Sequence, residues 1–238
     1  MLRELLALFR SDDPIARMAS EFSKMVDLSR DLTVRAGHVL FMEGASEADE
    51  LEEISKRDVE INQLERGIRK QLIAHLILTK DRSDVTYCLL LMSLVKDVER
   101  LGDYAKNVAE IRSEGGGPLP EDEHGAEIHD IRSAVEETYG SVNQVFATSD
   151  AKRAAQLIQS GREVNRRCDV LIARVARSSY DAATTTTMVL AARYYKRIES
   201  HLLNILSGVV MPLHKLDYYD EDALDAEVLD PRSAADGT

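Results

Sequence analysis

Glu99 and Asp103, one helical turn apart in the stretch VKDVERLGDYAKNVAEI (residues 95–111), are the residues whose types and spacing most invite chemistry. Like charges at that spacing repel on an exposed helix by roughly 0.2–0.5 kcal/mol. A partner is therefore expected, whether a metal ion, a basic side chain or water. Positions i, i+4, i+8 and i+11 share one helical face, so Glu99, Asp103, Asn107 and Glu110 form a polar stripe. Upstream, Asp58, Asn62, Glu65 and Arg69 form a second stripe. If the two helices lie antiparallel, the stripes meet. Asp58, Glu65, Glu99 and Asp103 then offer oxygen ligands of the kind that hold iron, manganese or magnesium between bundle helices. The ionic alternative needs no metal. Arg100 stands three residues from both Asp97 and Asp103, and Arg69 can insert between Glu65, Glu99 and Asp103 as a fixed cation.

The same pattern recurs in altered form. Set against residues 95–111, the stretch ARYYKRIESHLLNILSG (192–208) aligns Arg100 with Arg197, Leu101 with Ile198, Asn107 with Asn204 and Val108 with Ile205. VEINQLERGI and REVNRRCDVL align Asn62 with Asn165. In this register Glu99 and Asp103 become Lys196 and Ser200, with Arg162, Asn165 and Asp169 opposite. Lysine repels a cation, so this second site is degenerate and a Lys196–Asp169 ion pair is expected in its place.

The elements that carry these stripes read as helices throughout. The 238 residues contain only 5 Pro and 12 Gly, and so little punctuation favours long helices over a many-stranded sheet. SEGGGPLPED (113–122) breaks the chain near its middle. In the first half, Ile15, Met18, Phe22, Met25, Ser29, Leu32, Ala36 and Val39 mark one seam, opened by Asp13 before Pro14. Ser46 and Asp49 resemble a capping box for a second helix, whose apolar side runs from Leu51 through Ile54, Ile61, Leu64, Ile68 and Leu72 to Leu76. A third presents Leu91, Leu94, Val98, Leu101, Ala105 and Val108. In the second half Ile128, Ile131, Val135, Val142 and Phe146 mark a fourth helix. Ser149 is the expected cap of a fifth over 151–177, and Asp181 of a sixth that ends near Pro212. Its TTTT run is β-branched, yet an isolated strand would have nothing to pair with. The expected fold is all-α, two pseudo-repeated antiparallel three-helix bundles, with repeats at 1–112 and 123–215, a linker at 113–122 and an acidic, disordered tail at 216–238.

Composition narrows the function. A net charge of −12 argues against nucleic acid, and eight acids against one Arg in residues 217–238 supply most of it. Two distant cysteines, Cys88 and Cys168, form no disulfide framework or zinc ribbon and suit the cytoplasm. No apolar run reaches membrane-spanning length, and MLRELLALFR at the start reads as a docked terminal helix. His124 and His129 are expected to be solvated, and His75 and His201 to be satisfied within helices. No phosphate-loop, dinucleotide, hydrolase-elbow or zincin motif occurs, so no enzyme class is supported.

DVERLGDYAKNVAEI is similar to the signature of PhoU-type phosphate regulators, Asp-x-Glu-Arg-Ile-Gly-Asp-x-Ala-x-Asn-Ile-Ala-Glu, through Asp97, Glu99, Arg100, Gly102, Asp103, Ala105, Asn107, Ala109 and Glu110. Asp58, Ile61, Asn62 and Glu65 resemble the family's Asp-x-x-Val-Asn-x-x-Glu pattern. The resemblance implies a non-enzymatic cytoplasmic regulator of phosphate uptake and phosphate-responsive signalling. Such a protein binds a phosphate transporter component or a sensor histidine kinase, commonly dimerises, and meets the membrane only through its partner. Some members bind multinuclear iron clusters through paired Glu/Asp-x-x-x-Asp motifs. Here Arg69 replaces one carboxylate, Lys196 and Ser200 replace two more, and Glu199 stands where the motif has glycine. At most one weak iron, zinc, manganese or magnesium site is expected, in the N-terminal half. Rival readings are a metal-storage or metalloenzyme bundle using the same four carboxylates, and a helical scaffold with no phosphate connection.

Overall fold

The computed structural model describes residues 14–42, 47–79 and 82–217. Within them the chain forms α1 (Pro14–Phe41), α2 (Glu47–Leu78), α3 (Val85–Glu110), α4 (Glu123–Thr148), α5 (Ala151–Val175) and α6 (Ala182–Val210), then a short 3-10 turn (Leu213–Lys215). Among the described residues there is no strand, and no helix is long and apolar enough to cross a membrane. The expected cap at Asp13, the capping box through Ser46, the helix at 1–10 and the tail beyond Asp217 lie outside the described residues.

Each seam turns inward. Every residue of the α1 seam is buried, including Ser29, whose hydroxyl donates to the Val26 carbonyl at 2.9 Å. On α2, Ile54, Ile61, Ile68 and Leu72 are buried, while Leu51, Leu64 and Leu76 sit half-buried at the margin. α1 and α2 run antiparallel, joined by Arg17–Gln71 at one end and Arg35–Glu50 at the other. α3 completes the first bundle, and α4, α5 and α6 make the second.

The bundles join through their inner helices, α3 against α6 and α1 against α4, leaving α2 and α5 outside. Several contacts lock α1 to α4. Tyr139 donates to Ser29 Oγ, Asn143 donates to Asp27 at 2.7 Å, and Arg132 lies over the Phe41 ring, 4.9 Å from its centroid. The Arg132 guanidinium needs Gly37, because a Cβ there would stand 2.7 Å from its Nε.

The linker is pinned onto α6. Gly117 N–H donates to the Ala183 carbonyl, and the buried Thr187 hydroxyl donates to the Gly117 carbonyl at 2.9 Å. The threonine run is therefore helical and useful: one of its hydroxyls anchors the connection between the bundles. One cap differs from expectation. Asp150, whose side chain accepts from Arg153 N–H, caps α5, while Ser149 closes α4 in the left-handed conformation (φ 52°). An Asp one residue on is the better N-cap once the chain has reversed at Ser149. Asp181 caps α6 as expected, accepting from Thr184 N–H at 2.7 Å.

Gly125, in the first turn of α4, lies under the Pro120 carbonyl, and a Cβ there would overlap that oxygen. Gly125→Ala is expected to destabilise the protein by roughly 1–3 kcal/mol, the usual cost of overpacking. The check is the midpoint of urea unfolding, and an unshifted midpoint would show that the linker yields freely.

Candidate functional site

α2 and α3 bring their polar stripes together at the edge of the first bundle. Glu65 pairs with Arg69 at 2.9 Å along α2, and Arg100 pairs with Asp103 at 2.9 Å along α3, reaching Glu99 at 3.5 Å. Glu65 and Glu99 are mostly buried (13% and 19% of their side chains exposed), so the stripes face each other and not bulk water. Burial raises the Glu99 pKa, with Asp103 and Glu65 adding repulsion and Arg100 and Arg69 opposing it. Burial also raises Asp58, which feels Lys106 as an attractive charge and Asp103 as a repulsive one. Asn62 donates to Asp58 at 3.4 Å. The seam is thus a chain of alternating charges.

The second bundle carries the altered counterpart. Lys196 Nζ donates to both Asp169 oxygens at 2.6 and 2.7 Å, and Asn165 donates to Ser200 at 3.2 Å. A further difference concerns glycine. In the repeat register Asp58 corresponds to Gly161, and Gly102 to Glu199. A Cβ at Gly102 would stand 3.3 Å from Ile61 Cδ1 and 3.9 Å from Asp58 Oδ1, while a Cβ at Gly161 would overlap Glu199 Oε1. Each repeat therefore carries one carboxyl group facing one glycine, on opposite helices in the two halves. Asp58 sits at the rim, whereas Glu199 is fully enclosed, accepting from Thr138 at 3.1 Å. Its Oε2 has no hydrogen-bond partner among the described residues. Enclosure pushes the Glu199 pKa up to about 8 against the opposing Thr138 bond.

Asp97, read from the sequence as a local partner of Arg100, instead points into the junction between the bundles. It is fully buried and accepts from Asn204 at 3.0 Å, with His201 Nδ1 2.8 Å away. The helical phase explains this, since Asp97 lies 200° around the helix from Glu99, away from the seam. The repeat alignment gave no signal of this, because it matches Asn204 to Asn107 of the seam stripe.

The lone histidines also sort by structure. His75 is half-buried against Asp84 at 3.2 Å. His124 is not solvated, because its Nδ1 lies 2.8 Å from the Tyr180 hydroxyl, which itself donates to Asp122. His129 is exposed on one side but packs on Phe41, ring centroids 4.1 Å apart. Both thiols are buried, and burial pushes Cys88 up to about 11 and Cys168 up to about 12, so both stay protonated and unreactive.

The donor set does not fit a polynuclear metal cluster. Among the described residues no three His, Cys, Asp or Glu side chains converge as metal ligands. Guanidinium groups occupy Glu65 and Asp103, and a cluster of cations needs several uncommitted anionic oxygens.

These features define a duplicated three-helix bundle with a charged seam in each repeat, intact in one and rewritten in the other. Residues 15–112 match the family model of the PhoU domain. The fold is similar to PhoU from Pseudomonas aeruginosa, with a TM-score of 0.73 and 23% identity over 82% of this chain and 95% of that one. It is also similar to the phosphate transport system regulatory protein PhoU from Streptococcus pneumoniae, with a TM-score of 0.69 and 16% identity over 88% and 98% of the two chains. The uncharacterized protein MJ1641 of Methanocaldococcus jannaschii is 28% identical over 123 residues, 48% of this chain and 43% of that one, so the match spans under half of that relative's length. Residues 15–112 thus match a PhoU domain, and the described chain as a whole shares the PhoU fold.

Two measurements check the site. Glu199 keeps its proton in the fold up to about pH 8, while the unfolded chain loses it near its ordinary value of 4.5. The stability it contributes is complete below the lower value and lost as pH rises through the upper one. Glu199→Gln keeps the Thr138 bond without the titration. It is therefore expected to lose less stability than the parent as pH rises from about 4.5 to about 8, by up to about 1.4 kcal/mol per pH unit. Equal alkaline loss of stability in both proteins would refute the assignment. At the α2–α3 seam, elemental analysis is expected to find no more than one equivalent of iron, zinc, manganese or magnesium. Arg69→Glu should raise that content and Glu99→Ala with Asp103→Ala should abolish it. A stoichiometry above one in the parent would overturn the reading of Arg69 as the resident cation.

Proposed function

We propose that this chain is a non-enzymatic, cytoplasmic regulator of phosphate uptake and phosphate-responsive signalling. It acts by presenting helical faces to a phosphate transporter component or a sensor histidine kinase, as a homodimer that meets the membrane only through that partner. Any metal at the seam is a single structural ion. The observation that carries the reading is the match of residues 15–112 to the PhoU domain, within which the seam keeps Asp58, Glu65, Glu99 and Asp103. The likeness of the whole fold to PhoU of Pseudomonas aeruginosa and Streptococcus pneumoniae supports it.

The half-buried placement of the seam suits a role in fixing helix positions. Regulation through surfaces does not require the ion, so loss of the second carboxylate motif leaves it intact. A deletion strain is expected to express phosphate-starvation genes in phosphate-replete medium, with silence restored by the wild-type chain. Unchanged expression in the deletion strain would refute the phosphate connection and favour a scaffold with another target.

A further inference from the structure

The two outer helices occupy equivalent places in the repeats but carry opposite charge. α2 holds eight acids against five Lys or Arg, whereas α5 holds six Lys or Arg against two acids and is the most basic of the six helices. Much of that charge is uncommitted. Lys152, Arg153 and Arg174 on α5, with Arg177 just beyond its end, are exposed and form no ion pair with any described residue. Arg166 is answered only by Glu163 of its own helix.

The chain leaves the fold over α6, where the 213–215 turn packs on α3 and Asp217 lies near Lys96 and Asp97. Leu216 is buried, and Asp217 N–H donates to Ser207 Oγ at 3.3 Å. Ser207 lies one turn of α6 beyond Leu203, and Leu203 packs against Gly161 of α5. From Asp217 onward come eight acids and one Arg in 22 residues. Helix α5 is about 37 Å long at 1.5 Å per residue. The 21 residues after Asp217 can span up to about 70 Å at roughly 3.3 Å each, so the acidic segment can run the whole length of α5.

We propose that residues 218–238 dock on the basic outer face of α5, held by charge complementarity to Lys152, Arg153, Arg166, Arg174 and Arg177. The occupant is this chain's own segment, tethered at Ser207 and present at high effective concentration. A tethered polyanion outcompetes a free one at the same face. The contact is solvent-exposed, so salt weakens it.

The test is paramagnetic relaxation in the full chain, with a nitroxide on Ala235→Cys, both native cysteines being buried. Amides of residues 152–177 are expected to lose at least half their intensity at low salt. They should recover as salt is raised to about 0.5 M, where the screening length falls to a few ångströms. They should recover also in an Arg166→Glu, Arg174→Glu, Arg177→Glu variant that keeps its spectral dispersion. If that variant does not fold, the salt series decides alone. Broadening that is absent, that falls on α2, or that survives high salt overturns the proposal. So does broadening that arises between copies when spin-labelled and isotope-labelled chains are mixed, because the occupant would then be a second molecule.

Discussion

The structure depends on how closely the outer helix of each bundle approaches the inner one. In each repeat a carboxyl group on one helix faces a glycine on the other. In the second repeat Glu199 fills the space that Gly161 leaves; in the first, Gly102 makes room for Ile61, with Asp58 at contact distance beside it. The exchange conserves one carboxyl group per repeat but moves it from rim to interior. That move changes its chemistry. A half-exposed carboxylate facing Lys106 can answer a cation, whereas an enclosed carboxyl with one hydroxyl neighbour holds its proton. Lys196 and Ser200 follow the same logic, since a seam whose carboxylate has withdrawn needs its own internal cation to pair Asp169.

The junction between the repeats shows a second departure from symmetry. In the repeat register Asp97 corresponds to Tyr194, and Tyr104 to His201. α3 and α6 run antiparallel, so Asp97 and Tyr194 fall at the two ends of one contact, with Tyr104 and His201 between them. One end is polar, with Asp97 accepting from Asn204 beside His201; at the other, Tyr104 and Tyr194 lie with centroids 6.3 Å apart. Tyr104 and His201, equivalent to each other, stack at 5.6 Å near the centre. Asp97 keeps one oxygen without a hydrogen-bond partner among the described residues, so the polar end constrains register at some cost in stability. An interface of this kind fixes how the halves sit without making them interchangeable.

The bundle architecture was legible because long amphipathic periodicity leaves few alternatives: the seams of α1, α2 and α3 all face inward, and a polar member such as Ser29 is tolerated because its hydroxyl bonds back to its own helix. The α2–α3 seam was legible as a place, since helical phase alone puts Glu65 and Glu99 on facing stripes. Its chemistry was not, because the choice between an ion and a guanidinium depends on which rotamers Arg69 and Arg100 adopt. Asp97 was misassigned for a related reason. Spacing along one helix offers Arg100 as a partner, and only the packing of the second bundle supplies His201. The cap at Asp150 was missed by one residue, as happens where two polar residues adjoin a reversal.

The two repeats share one fold but present different charge. The first repeat presents a ladder of charges at its rim and an acidic outer helix. The second has drawn one carboxyl group into its interior, closed its seam with a Lys196–Asp169 pair, and turned a basic helix outward. A partner that recognises charge therefore meets two different surfaces on one rigid frame, related by a fold symmetry that the side chains no longer obey. Orientation on that partner follows from electrostatics before any shape-specific contact forms. The rewritten second half changes the charge it presents while its core seam stays buried.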